Sequence, residues 1–162
     1  MRSAPPVWVR QLAVLLILIP FALLFSKCAR VHFEHDAAAR QLVGYLDRQP
    51  LPSNSRVLYE KAEVGGFISG TGDSTDILAY RAFTTDWQTK AVKDFFAPYM
   101  SQYSPAEPPY LGICRLDDPP LLPMLPVDSI LKQIPQAERS RTYILYRIDR
   151  SIDAGIWDIR GW

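Results

Sequence analysis

The stretch DILAYRAFT, residues 76–84, decides the fold that we predict for this chain of 162 residues. In an extended strand, alternate side chains point to opposite faces, and here both faces are almost entirely apolar. One face carries Ile77, Ala79 and Phe83, and the other carries Leu78, Tyr80 and Ala82. A strand of this kind has to be covered on both sides, which predicts a central strand of a sheet.

The residues before this stretch predict a β-hairpin. SRVLYEKAEV, residues 55–64, has the β-branched and aromatic character of a second strand. Between the two strands lies the glycine-rich segment GGFISGTGDST, residues 65–75. Its glycines supply positive φ angles, and Asp73 and Ser74 can bond to nearby backbone, as hairpin turns require.

The same glycine-rich segment has two alternative interpretations as a ligand site. A phosphate-binding loop needs a lysine and a following helix, and a dinucleotide fingerprint also needs the helix; a strand follows here instead. Asp73 and Asp76 could hold a cation, but a calcium loop would want further oxygen ligands and a late glutamate. We therefore favour the hairpin and keep the two aspartates as candidates.

A helix is predicted directly after residues 76–84. TDWQ, residues 85–88, fits a capping box, in which the Thr85 and Gln88 side chains satisfy backbone N–H groups of the first turn. Pro98 is expected to kink or end this helix near Ala97. An apolar stripe at helical spacing follows the box and predicts a face packed on the sheet. The stripe consists of Trp87, Ala91, Val92, Phe95, Phe96, Tyr99 and Met100.

Proline dominates the next part of the chain, residues 104–126, and predicts a long ordered loop with extended pieces. Its apolar side chains indicate that it lies on the domain, and an interaction surface is the alternative. VDSILKQI, residues 127–134, predicts a short helix stopped by Pro135. Residues 141–162 predict two strands joined at SIDAG, residues 151–155.

The N-terminal residues predict a membrane span. LAVLLILIPFALLF, residues 12–25, contains no charged side chain, and residues 7–27 reach the roughly 20 residues that a bilayer requires. Arg10 can extend to the headgroups, and Trp8 suits the interface. We favour an uncleaved signal anchor, because Lys27 makes a poor cleavage site. A cleavable signal peptide and a buried core helix are the alternatives.

A second helix is expected after the span, within residues 32–55. Asp36 is predicted to cap its first turn, and Pro50 prevents its continuation, although the helix could also run on directly from the span. Its apolar face consists of Ala38, Leu42, Tyr45 and Leu46. Basic residues flank the span on both sides, and acidic residues dilute those that follow it. The positive-inside rule thus mildly favours a cytoplasmic N-terminus.

These elements together predict an α+β fold with a mostly antiparallel sheet whose helices cover one face. The predicted organisation is an N-terminal tail (1–6), a transmembrane signal-anchor helix (7–27), a juxtamembrane helix and linker (28–55), and an α+β ectodomain (56–162) that contains the proline-rich loop (104–126).

Composition argues against nucleic-acid binding. Lys and Arg number 18 and Asp and Glu number 17, so no basic footprint is visible. The C-terminal arginines alternate with aspartates and predict a mixed-charge solvent face. They are Arg139, Arg141, Arg147, Arg150 and Arg160. Cys28 and Cys114 are too few for a disulfide scaffold, although they could pair if exported.

Few residues carry recognisable chemistry. Asp117 and Asp118 stand side by side before proline, an arrangement that more often starts a turn than shares a proton. His32 and His35 could bind zinc weakly, but no further ligand stands at a suitable spacing. Cys114 has no evident base nearby. No cofactor or metal site is predicted, and Asp73, Asp76, Asp117 and Asp118 remain the candidate site residues.

The sequence therefore favours a non-enzymatic binding or interaction module of a bacterial cell envelope, facing the periplasm or the exterior. Its expected partners are the lipid bilayer, through residues 7–27, and an envelope protein. One alternative is a membrane-anchored hydrolase or metal-dependent enzyme that uses the loop aspartates. Another is a secreted soluble domain that is released by signal cleavage.

Overall fold

The computed structural model describes residues 6–65, 75–100, 110–118 and 127–151 and has a mixed α and β fold. A long apolar N-terminal helix precedes a four-stranded antiparallel sheet with further helices, as the sequence predicts. The described elements, in chain order, are α1 (Val7–Asp47), β1 (Arg56–Gly65), β2 (Thr75–Thr84), α2 (Thr89–Met100), β3 (Tyr110–Arg115), α3 (Val127–Gln133), a 3₁₀ helix (Gln136–Arg141) and β4 (Thr142–Ser151).

The strand order is β1-β2-β4-β3, so β2 lies inside the sheet, as its two apolar faces predict. β1 and β2 form the expected hairpin, in which Gly65 pairs with Asp76 at the last position before the turn. Residues 66–74 of the turn itself lie outside the described residues. On its other side, β2 pairs with β4 along its whole length, from Thr75 with Ser151 to Thr84 with Thr142.

Strand β3 lies within the segment that was predicted to be a proline-rich loop. It pairs with β4, with Ile113 opposite Leu145. The physical reason is that YLGICR, residues 110–115, contains no proline, so no N–H group that the ladder with β4 needs is missing. Pro109 and Pro119 only flank this run. Residues 104–109 and 119–126, and the strand predicted after residue 155, lie outside the described residues.

Helices cover both faces of the sheet, and the prediction of a single covered face is wrong. On the first face, α1 and α2 pack over Ile77, Ala79 and Phe83. On the second face, α3 contributes Ile130, and Ile134 follows directly after the helix. Both side chains join a core cluster with Leu78, Tyr80, Ala82 and Ile144. The second apolar side of β2 accounts for this arrangement, because it would otherwise remain in water.

Helix α1 is one continuous helix of 41 residues, about 62 Å long at 1.5 Å per residue. Asp36 therefore lies inside the helix and does not cap it. None of the most apolar 18-residue window is buried, whereas Leu42 and Leu46 are buried against the sheet. The buried-core alternative is thus wrong for the N-terminal half, which is long and apolar enough to cross a membrane.

Helix α2 begins three residues later than the capping box predicts. Its first helical bond runs from the Val92 N–H to the Gln88 carbonyl, so Gln88 stands at the N-cap. The Thr85 hydroxyl accepts from the Trp87 N–H at 3.3 Å and closes a turn that precedes the helix. Pro98 does not end the helix, which continues to Met100, because a proline in the last turn removes only one helical bond.

Two glycines give opposite expectations for alanine substitution. A Cβ at Gly112 would overlap the Cζ and hydroxyl oxygen of Tyr146, which is buried and has little room to move. Gly112→Ala is expected to destabilise the protein by about 2 kcal/mol. A Cβ at Gly44 would meet nothing within 4 Å, so Gly44→Ala is expected to stabilise by about 1 kcal/mol through helix propensity.

Chemical unfolding of the full-length protein in detergent, followed by near-ultraviolet circular dichroism, checks this pair of variants. An unfolding midpoint of Gly112→Ala that is unchanged or raised would contradict the close packing of β3 under Tyr146.

Candidate functional site

The four candidate aspartates do not come together in one centre. Asp76 is buried in β2, opposite Gly65 and Arg150 in the ladder. Asp117 and Asp118 follow β3, whose last residue is aligned through β4 with Phe83. Seven residues of β2 separate these positions, or about 23 Å at 3.3 Å per residue. Asp73 lies outside the described residues.

Asp117 and Asp118 form a turn, as the sequence favours. The Asp118 N–H donates to the Arg115 carbonyl at 3.2 Å and closes the turn after β3. The Arg115 guanidinium forms an ion pair with the Asp117 carboxylate: Nη2 donates a hydrogen bond to Oδ2 at 2.6 Å, and Nε lies 2.6 Å from Oδ1. This ion pair engages the Asp117 carboxylate within the turn.

The Cys114 thiol is buried beneath this turn, and Cys28 lies in α1; both cysteines are free. Burial, helped by the negative charge of Asp118, raises the pKa of Cys114 to about 11. At pH 8 only about one molecule in a thousand would then carry the reactive thiolate. Cys114 is thus a core residue rather than a nucleophile.

This assignment predicts a labelling result. In a Cys28→Ser variant, Cys114 is the only thiol, and we expect no alkylation by iodoacetamide at pH 8 in the folded protein. In urea the same variant should take up one equivalent, as measured by intact mass. Rapid alkylation without denaturant would contradict the buried position of Cys114.

Within the described ranges, no group of three or more histidine, cysteine, aspartate or glutamate side chains could hold a metal ion. The two histidines of α1 stand three residues apart and differ in their exposure. His35 is buried, whereas His32 is exposed and lies 3.8 Å from the Asp36 carboxylate. The weak zinc interpretation of these residues therefore gains no support.

A charged junction joins the end of α1 to the sheet, and the sequence analysis missed it. We define the Arg81 junction as Arg81 with Leu46, Asp47 and Glu60. Arg81 Nη1 donates to the backbone carbonyls of Leu46 at 3.0 Å and of Asp47 at 3.4 Å. Its guanidinium also pairs with Asp47 Oδ1 at 3.3 Å and Glu60 Oε2 at 3.2 Å. A single side chain thus satisfies helix-end carbonyls and two carboxylates.

Electrostatics agree with a partly desolvated junction. The Arg81 side chain is only 12% exposed. Burial, followed by the neighbouring Asp47 carboxylate, raises the pKa of Glu60, and the charge of Arg81 opposes this effect. A positive charge at a helix C-terminus also interacts favourably with the helix dipole. The junction therefore fastens α1 to the sheet by direct contacts with both elements.

Two of the C-terminal arginines also have structural contacts, so the prediction of a common solvent face is wrong for them. The Arg147 guanidinium carbon lies 4.1 Å from the centroid of the Tyr45 ring of α1, a cation–π contact. Arg139 donates to the Leu131 carbonyl at 2.7 Å and to the Ile134 carbonyl at 3.2 Å. The first contact adds to the docking of α1, and the second satisfies carbonyls at the end of α3.

A polar cleft lies between the start of α2 and the start of β4, and we call it the α2 cleft. Its volume is about 430 Å³. The Tyr143 hydroxyl lies 3.0 Å from the Thr89 hydroxyl within it, and Arg141 pairs with Asp86 at 3.3 Å. The lining residues are Thr85, Asp86, Trp87, Gln88, Thr89, Arg115, Ser140, Arg141 and Tyr143.

Hydroxyls, an amide, two guanidiniums and one indole line the α2 cleft, so it offers both donors and acceptors beside an aromatic surface. These groups suit the binding of a polar ligand or a polypeptide segment. The lining contains no histidine or cysteine that could act with the hydroxyls as a nucleophile and base. The cleft is therefore the best candidate for a binding surface within the described residues.

No protein-family model, curated protein or solved structure matches this chain.

Proposed function

We propose that this protein is a single-pass, membrane-anchored, non-enzymatic binding module of a bacterial cell envelope, which presents the α2 cleft outside the cytoplasm. The observation that carries this proposal is the continuity of α1. Its N-terminal half is apolar and uncovered, and its C-terminal half is part of the core, with Leu46 fully buried. One helix thus acts as both the anchor and the support of the sheet.

The position of α2 supports a cleft that faces away from the membrane. Phe96 of α2 packs on Phe83, with the two ring centroids 6.0 Å apart, and so covers the first sheet face at the C-terminal end of β2. Helix α1 then covers the remaining part of this face, near Ile77 and Ala79. The α2 cleft lies beyond Phe83, at the end of the sheet remote from the entry of α1.

An enzyme that uses the loop aspartates is the rival proposal. A hydrolase that shares a proton or a metal between carboxylates needs them within a few ångströms of each other. Asp76 and the end of β3, two residues before Asp117, stand about 23 Å apart along the strands, and Asp117 pairs with Arg115. We therefore favour binding over catalysis at these residues.

Membrane anchoring and orientation are tested together. A topology reporter fused after Trp162 should be active on the outer side of the membrane, and the mature chain should keep the mass of the full sequence. After carbonate washing, the full-length chain should remain in the membrane fraction. Recovery of an intact chain in the aqueous fraction would refute the anchor, and a shortened chain would favour the secreted alternative.

Binding at the α2 cleft is tested by site-specific crosslinking in native membranes. A photo-crosslinking amino acid at Ser140, in the cleft, should give an adduct of discrete mass, and Arg141→Ala should weaken it. The same group at Lys132, exposed on α3 over the opposite sheet face, is the matched control. Equal adducts from both positions, or none from Ser140, would count against the cleft as the binding surface.

A further inference from the structure

A large apolar side chain lies exposed on α1 beyond the predicted span of residues 7–27. Phe33 is 69% exposed, although it stands six residues past Lys27. Phe25, Ala29 and Phe33 recur every four residues, so they form one strip that turns by only about 40° per step. These side chains line a shallow groove along the helix, together with Ser26, Arg30, Glu34 and Ala37.

The length of the apolar run shows why this strip matters. The uncharged residues 12–25 form 14 positions of α1, about 21 Å of helix, against a hydrocarbon core of about 30 Å. Counted from Leu12 to Phe33 on one face, the helix provides 22 positions and about 33 Å. Residues 7–27 reach this length only by including Arg10 and Lys27, whereas the face from Leu12 to Phe33 reaches it without either side chain.

The charged residues of this region are compatible with contact between the strip and lipid. Lys27 lies about 120° around the helix from Phe33, and its side chain can extend to the headgroups. Arg30 pairs with Glu34 at 2.8 Å beside the strip, at the solvent-exposed surface. The strip itself carries no charge between Phe25 and Phe33.

We propose that the lipid-contacting face of α1 extends to Phe33, so that α1 crosses the bilayer tilted toward this face. The proposed occupant is the interfacial region of the bilayer, because the strip continues the lipid-facing span without a break. A tilt of about 20° is ordinary for membrane helices. This inference rests on the proposed membrane anchor.

The tilt also places the α+β domain. Leu42 is buried against the sheet and, nine residues after Phe33, lies about 180° around the helix from it. The sheet therefore packs on the upper side of the tilted helix, away from the lipid. The bilayer and the sheet contact opposite faces of α1.

The experiment compares nitroxide spin labels on the full-length chain in lipid vesicles. Labels are attached at Phe33→Cys and at Lys27→Cys in a Cys28→Ser background, where Cys114 is buried. Collision with a water-soluble nickel reagent is measured by electron paramagnetic resonance. We expect the label at 33 to be no more open to nickel than the label at 27, although it lies about 9 Å further along the helix.

Three further readings separate the possible causes. If a label at position 33 collides with nickel as often as a label at Arg40→Cys, the inference is overturned, while the proposed membrane anchor is unaffected. Dipolar broadening between labels at 33 would also overturn it, because a second copy would then cover the strip. A label at Ile17→Cys that is open to nickel would refute the membrane anchor itself, and with it the inference.

Discussion

Replacing Arg81 with alanine is expected to lower the free energy of unfolding of the full-length protein by about 3 kcal/mol. The substitution leaves the carboxylates of Asp47 and Glu60 facing each other without a cation between them. It also leaves the Leu46 carbonyl, at the buried end of α1, without its 3.0 Å donor. Arg81→Lys should recover only part of the loss, because an ammonium cannot reach all these acceptors in a fork geometry.

Urea unfolding in detergent, followed by near-ultraviolet circular dichroism, measures this effect, and Arg56→Ala is the matched control. Arg56 pairs with Glu138 at the start of β1, but its side chain is 63% exposed, so its loss should cost less than about 1 kcal/mol. If Arg81→Ala and Arg56→Ala destabilise equally, the Arg81 junction does not fasten α1 to the sheet.

Replacing Phe83 with alanine is expected to lower the free energy of unfolding by about 4 kcal/mol, the largest effect that we predict for a single substitution. Phe83 is fully buried, and its ring packs on Phe96 of α2 at 6.0 Å and on Tyr143 of β4 at 5.9 Å. Its removal would open a cavity where α2 meets the sheet, directly beside the α2 cleft. The same unfolding measurement applies.

Phe33→Ala serves as the control for Phe83→Ala, because the two variants remove the same side chain. Phe33 is exposed and is not part of the core cluster beneath the helices. Its removal should therefore leave the free energy of unfolding of the domain unchanged within about 0.5 kcal/mol. A small effect of Phe83→Ala, comparable to that of Phe33→Ala, would show that α2 does not pack as described.

Local patterns account for the parts of the fold that the sequence predicted well. The two apolar faces of β2 predict its place inside the sheet, and the run of residues 12–25 predicts an uncovered helix. Strand β3 was missed because its six residues are surrounded by prolines, and because a partner distant in sequence, β4, supplies its ladder. The cover on the second face was missed because α3 is too short for a clear periodicity.

The candidate site was less predictable, since its residues come from separate parts of the chain. The α2 cleft is lined by Thr85 to Thr89, by Arg115, and by Ser140, Arg141 and Tyr143. None of these segments carries a motif by itself. The Arg81 junction did leave a signal, because Arg81 is the one charged side chain within the apolar run Ile77–Phe83. A lone arginine in such a strand needs buried acceptors, here the end of α1.

The continuity of α1 from the proposed membrane span to the sheet has a geometric consequence for the orientation of the domain. One residue inserted into α1 between the proposed membrane span, residues 7–27, and Leu42 would raise the domain along the helix axis by only about 1.5 Å but would rotate it about that axis by about 100°. Seven inserted residues would return the domain to within about 20° of its original orientation around the helix axis, at a greater height above the membrane. In the proposed anchored arrangement, a change in the number of residues in α1 would therefore alter the direction that the α2 cleft faces much more than its distance from the bilayer.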